Sequence, residues 1–145
     1  MSSVPKSKRR KSKFEVIQVA YDFRLKLDEY IDHDFYIEKI DEKDRIVLDN
    51  IRAFMMDEPR RLLNKLILAN CIFITSIPEY DQRRLYQDEA LGHCANIIVE
   101  LQYIEEKFKG RVNVNKYSNL ISLMEKEQSR IKGWRQSDKK LKPEK

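Results

Sequence analysis

Lys6-Ser7-Lys8-Arg9-Arg10-Lys11-Ser12-Lys13 places six cations in one short run with no acid among them. An Arg83-Arg84 pair and a closing stretch, Lys132-Gly133-Trp134-Arg135-Gln136-Ser137-Asp138, bring the same chemistry back further along the chain. Guanidinium and ammonium groups neutralise phosphates and release their counterions, and an aromatic ring set among them offers a surface on which an unpaired base can stack. The candidate binding residues are therefore Lys8, Arg9, Arg10, Lys11, Lys13, Arg83, Arg84, Arg130, Lys132, Trp134 and Arg135. Each has a plainer explanation. Charged ends can simply keep a chain soluble, and Trp134 can close the bottom of a hydrophobic core. Arg83-Arg84 can be a solvated helix start, although cations in a first turn oppose the helix dipole and so lack a local electrostatic reason to be there.

The residue types that catalyse or bind metals are sparse. His33 and His93 are the only histidines, and His93-Cys94 has no CxxC or HxxxH spacing around it, so neither a metal nor a cofactor is expected. There is no glycine-rich phosphate loop and no GxSxG turn, and the acids between 28 and 45 lack the pattern of a calcium loop. An enzyme is not expected. Cys71 and Cys94 stand alone in apolar helical runs with no secretory context, which predicts two small core residues and no bridge.

Charge is distributed unevenly. Residues 130–145 hold seven cations against Asp138 and Glu144. Taking the +6 of the first run and the +5 of this last one from the net charge of +5 leaves −6 on residues 14–129. Two cationic poles on an acidic body point to a polyanionic partner.

The elements that must position these poles are helices. Three glycines and four prolines in 145 residues are too few for the turns of an all-β fold, and 41% hydrophobic content fills the core of one domain. No run of eighteen apolar residues occurs, and the cationic start leads into an amphipathic stretch containing Glu15 and Asp22. A cytoplasmic protein is expected. The first helix is predicted from about Phe14 to the Asp32-His33-Asp34 cluster. It carries Phe14, Ile17, Tyr21 and Leu25 on one face, with Val16, Ala20, Phe23 and Leu27 beside it. Residues 28–45, dense in acids and aromatics, read as a long and partly helical crossing. A second helical region over roughly 44–75 meets Asp57-Glu58-Pro59, where it either kinks or gives way to a new helix. It continues with Leu62, Leu63, Leu66, Ile67, Asn70, Cys71 and Ile74.

Ser76-Ile77-Pro78-Glu79 predicts the start of a third helix: serine as N-cap, proline in the first turn, and glutamate placed to complete a capping box. That helix carries Leu91, Cys94, Ile98, Leu101 and Phe108, with Tyr86, Ala90, Ile97 and Ile104 alongside, and ends near Gly110. A fourth begins near Asn113 or Asn115, presents Tyr117, Leu120, Ile121, Met124 and Ile131, and stops around Gly133-Trp134. The expected fold is all-α, an antiparallel up-down-up-down four-helix bundle over 14–135, with flexible basic ends at 1–13 and 136–145. In that topology the 6–13 arm, Arg83-Arg84 and the basic tail converge at one end.

Three segments carry a resemblance. Val4-Pro5-Lys6 through Phe14-Glu15, Ala69-Asn70 leading into Arg83-Arg84-Leu85-Tyr86-Gln87, and the closing Lys132-Gly133-Trp134-Arg135-Gln136-Ser137-Asp138 resemble the accessory variability determinant (Avd) proteins of bacterial diversity-generating retroelements. The resemblance implies a homopentamer of four-helix bundles that binds the retroelement reverse transcriptase and its template RNA or cDNA and catalyses nothing itself. By position it implies Arg83 and Arg84 as leading contacts, supported by Lys8 to Lys13 and by Lys132, Trp134 and Arg135. The acidic 28–45 segment departs from an all-round basic surface and confines binding to one pole or a lumen. Related bundles encoded within intervening sequences of large-subunit ribosomal RNA genes are the alternative, as protein-interaction modules that do not touch nucleic acid.

Overall fold

A computed structural model of the chain describes the backbone of residues 6–34 and 40–144, and the side chains of 15–33 and 40–144. Four helices make up the protein: α1 (Lys6–Asp34), α2 (Glu42–Cys71), α3 (Ile77–Lys107) and α4 (Val114–Asp138), followed by a 3-10 turn at Lys139–Leu141. No strand occurs among the described residues, and the helices pack on one another as an all-α four-helix bundle.

Side-chain caps set the starts. Asp41 accepts the Asp44 N–H at 2.8 Å, and Glu42 and Asp44 place negative charge in the first turn of α2. Ser76 Oγ accepts the Glu79 N–H at 3.4 Å, while Glu79 Oε1 accepts from Ser76 Oγ and the Thr75 N–H, each at 3.0 Å. Glu79 thus closes the predicted capping box through Thr75 and Ser76, and these hydrogen bonds, led by that from the Thr75 hydroxyl, hold its carboxyl below the usual range. Asn113 caps α4, accepting the Asn115 N–H at 3.1 Å. Before it, Gly110 turns the chain with a φ of +88°, a left-handed conformation that favours glycine.

Each helix buries one stripe. The buried positions of α3 are Tyr80, Arg83, Gln87, Ala90, Cys94, Ile97, Leu101 and Ile104, and those of α4 are Tyr117, Leu120, Met124, Glu127, Ile131, Trp134 and Asp138. Both alternate steps of three and four, the spacing of helices that cross at shallow angles around a shared core. Contacts across the seams follow opposite sequence order. On α2 and α3, Asp44 pairs with Lys107, Glu58 with His93 and Lys65 with Glu89. On α3 and α4, Arg83 pairs with Asp138 and Glu105 with Ser118. On α1 and α4, Glu15 pairs with Arg130, and Lys116 lies over the Tyr30 ring. This is the order of antiparallel neighbours, and it puts the starts of α1 and α3 and the ends of α2 and α4 at one end of the bundle.

Several expectations need correction. α1 begins at Lys6, because a lysine- and arginine-rich run has good helix propensity and contains no breaker. Of the two alternatives at Pro59, a new helix does not start there: α2 is one helix with the buried proline inside it, despite its missing N–H. α4 passes Gly133 and Trp134 to reach Asp138, whose carboxylate is tied to α3. In α1 the buried face is Val16, Ala20, Phe23, Leu27 and Ile31, while Tyr21 and Leu25 are about half exposed. Cys94 is a core residue, but Cys71, the last residue of α2, is exposed. The stretch 28–45 resolves into the end of α1 and the start of α2, with 35–39 outside the described residues.

Candidate functional site

The end of the bundle where α3 starts and α4 finishes is organised by Arg83. Its position in the inward stripe carries the side chain into the core, where it is 5% exposed. Nη2 donates to Asp138 Oδ1 at 2.9 Å, Nε lies 2.8 Å from Asp138 Oδ2, and Nη1 donates to the Ile72 carbonyl at 3.2 Å. Gln87 Nε2 donates to Asp138 Oδ2 at 2.8 Å, and the guanidinium stands 5.1 Å from the Trp134 ring centre. One buried cation therefore joins the α2–α3 connection, the last turn of α4 and the indole. A buried ion pair of this kind needs hydrogen-bond partners to offset desolvation, and here both Asp138 oxygens have one while Arg83 Nε, Gln87 Oε1 and Trp134 Nε1 are left without.

Arg83 and Trp134 are thereby removed from the binding surface to which the sequence assigned them. Trp134 is 6% exposed and closes the bottom of the core, the plainer of its two readings. Arg135 is held by Asp88 at 2.6 Å, and Arg130 sits 3.7 Å from Glu15. Lys132 is exposed. The backbone of Lys8, Arg9, Arg10, Lys11 and Lys13 belongs to α1, and their side chains lie outside the described residues. Because Glu15 faces Arg130, the α1 backbone from Lys13 back to Lys6 runs toward the end at which α4 finishes.

Arg84 stays at the surface beside this buried staple. With Tyr80, Asp81, Lys139 and Lys142 it lines a shallow groove across the start of α3 and the 3-10 turn. Arg84 Nη1 donates to the Tyr80 hydroxyl at 3.3 Å, and the Lys142 ammonium stands 5.5 Å from the Tyr80 ring centre. Three cations face one carboxylate here, an arrangement that can hold phosphate oxygens. Tyr80, Lys139 and Lys142 were absent from the sequence-based set. The 3-10 turn that folds the tail back onto α3 left no sequence signal. Arg83 did leave one, since Tyr80, Arg83, Gln87 and Ala90 continue the core spacing without a break.

A second groove follows the α2–α3 seam and is lined by Arg61, Lys65, Glu89, Gly92, His93 and Asn96. Behind His93 and Asn96 the buried Glu58 lies 2.5 Å from His93 Nδ1 and accepts from Asn96 Nδ2 at 3.0 Å. Its cations are matched by acids, Arg61 by Asp57 at 2.5 Å and Lys65 by Glu89 at 2.7 Å, so it offers an anion little net charge. Among the described residues no group of three His, Cys, Asp or Glu could hold a metal ion, and no helix is long and apolar enough to cross a membrane. The Cys94 thiol is pushed up by burial and, secondarily, by Glu127, which keeps it protonated and unreactive. No family model, curated protein or solved structure matches the chain.

Proposed function

We propose that this protein is a non-catalytic nucleic-acid-binding assembly factor, the cytoplasmic accessory protein of a diversity-generating retroelement. It engages the reverse transcriptase and the template RNA or cDNA through the basic end of the bundle. The observation that supports this reading is the groove in which Arg84, Lys139 and Lys142 meet, at the end toward which the Lys6 to Lys13 backbone runs. Lys8, Arg9, Arg10, Lys11, Lys13 and Lys132 extend the contact, whereas Arg83 and Trp134 build the end from inside. Each subunit reaches only a few phosphates, so binding at physiological salt depends on several copies acting together, five in the ring that the resemblance implies.

The test is fluorescence anisotropy with labelled RNA and DNA from about 50 to about 200 mM salt, on the wild type and on the triple variant Arg84→Ala, Lys139→Ala, Lys142→Ala. Affinity should fall steeply with salt, show little sequence preference, and drop roughly tenfold or more in the variant. Binding indifferent to salt or to the triple substitution overturns the reading. The internal pairing of Arg83, Arg130 and Arg135 favours a second reading, a protein-interaction bundle that uses the same end on acidic residues of a polymerase. It predicts no mobility shift with the purified protein alone.

A further inference from the structure

The end that carries Arg84, Lys139 and Lys142 also carries Phe73, 80% exposed and the most exposed large apolar side chain among the described residues. It lies in the connection between α2 and α3, immediately after Ile72, whose carbonyl accepts from Arg83. The same guanidinium binds Asp138, immediately before Lys139, and Arg83 itself precedes Arg84. One buried side chain thus fixes the residue next to Phe73 and the residues next to two of the groove cations. A phenyl ring presented to water on a connection anchored in this way has no packing role within the subunit.

We propose that Phe73 is a stacking platform for an unpaired base, and that the phosphates flanking that base rest on Arg84, Lys139 and Lys142. The inference builds on the proposed nucleic-acid reading and restricts it to single strands, since a base inside a duplex has both faces covered by its neighbours. Aromatic rings set among cations are the composition of single-strand binding surfaces. A protein partner that docks an apolar anchor would use the groove cations only through acids of its own, and the oligonucleotide titration separates that case. The stacking role expected of Trp134 passes to Phe73, because the indole is buried against Arg83.

The full-length chain is titrated by anisotropy with a labelled mixed-sequence oligonucleotide of about 12 nucleotides, long enough to cross one such groove. RNA and DNA are each tested as single strand and as duplex, against wild type and Phe73→Ala, Phe73→Leu and Phe73→Trp. Single strands should bind at least about fivefold tighter than duplexes, and both Phe73→Ala and Phe73→Leu should lose roughly tenfold on single strands only. Phe73→Trp should bind like wild type and show fluorescence quenching on adding single strand, which the buried Trp134 of the wild type does not give. Equal melting temperatures exclude a folding defect. Stacking is overturned if Phe73→Ala binds single strands as tightly as wild type, if leucine substitutes for the ring, or if duplex and single strand bind equally. When the groove triple variant loses binding and Phe73→Ala does not, only the stacking inference falls. If the wild type binds no oligonucleotide, the nucleic-acid reading falls with it.

Discussion

Glu127 occupies an inward position of α4, fully buried, with neither carboxylate oxygen in a hydrogen bond. Burial is the main cause that pushes its carboxyl from 4.5 up to about 8, with Arg130 opposing and Glu15 adding to the rise. A group that holds its proton more tightly when folded stabilises the fold as long as the proton stays on. That contribution is complete below the unfolded value, declines as pH rises from about 4.5 toward 8, and is gone above it. Glu127→Gln, which cannot ionise, should flatten this slope. Melting at pH 5.5 and 8.5 checks it: at the higher pH the variant should melt about 5 °C or more above wild type, and parallel curves would refute the assignment. Asp138 makes the opposite case, a buried charge with all its partners in place. Asp138→Asn leaves the Arg83 cation without a counterion and should cost about 3 kcal/mol or more in urea unfolding. Replacing the pair together, Arg83→Met with Asp138→Leu, should recover most of that loss, because no buried charge is then left over.

The starts of α3 and α4 were legible because capping is local chemistry, whereas α1, which starts without such a signal, was placed too late. Ser76 and Glu79 are close in sequence and in space, and Ser76→Ala should destabilise the protein by about 1 kcal/mol in denaturant titration, through the unsatisfied first turn of α3. Helix faces were less legible. In α1 two apolar stripes run side by side, and the buried one is that which continues to Ile31, whereas the Tyr21 and Leu25 stripe runs on into Asp28 and Asp32. Helix ends were least legible, because they depend on partners distant in sequence. Gly133 reads as a stop, yet Arg83 holds the chain helical for five residues more. Pro59 reads as either a kink or the start of a new helix, and the buried residue stands inside one continuous helix.

At the scale of the whole molecule, a formal charge could be counted from the sequence but its pairing could not. Arg83 and Arg84 are neighbours in the chain, and one turns inward to Asp138 while the other lines the groove. The convergence of basic segments follows from antiparallel seams, while the subset of cations facing solvent follows from side-chain register. For the proposed binding mode, the triple groove variant should lower the slope of log affinity against log salt by about two per site, at roughly 0.7 per single-strand phosphate contact. An unchanged slope would place the phosphates elsewhere. Sedimentation of the wild type should reveal an oligomer, and a monomer with undiminished affinity would remove the need for several copies. The Arg83 staple has one more consequence, for proteolysis. A cut after Ser137 would do more than shed tail lysines, since it would also carry away the anion that makes the buried Arg83 guanidinium tolerable. The loop bearing Phe73 would then come loose together with the final turn of α4, so a single clip would disarm the whole basic end.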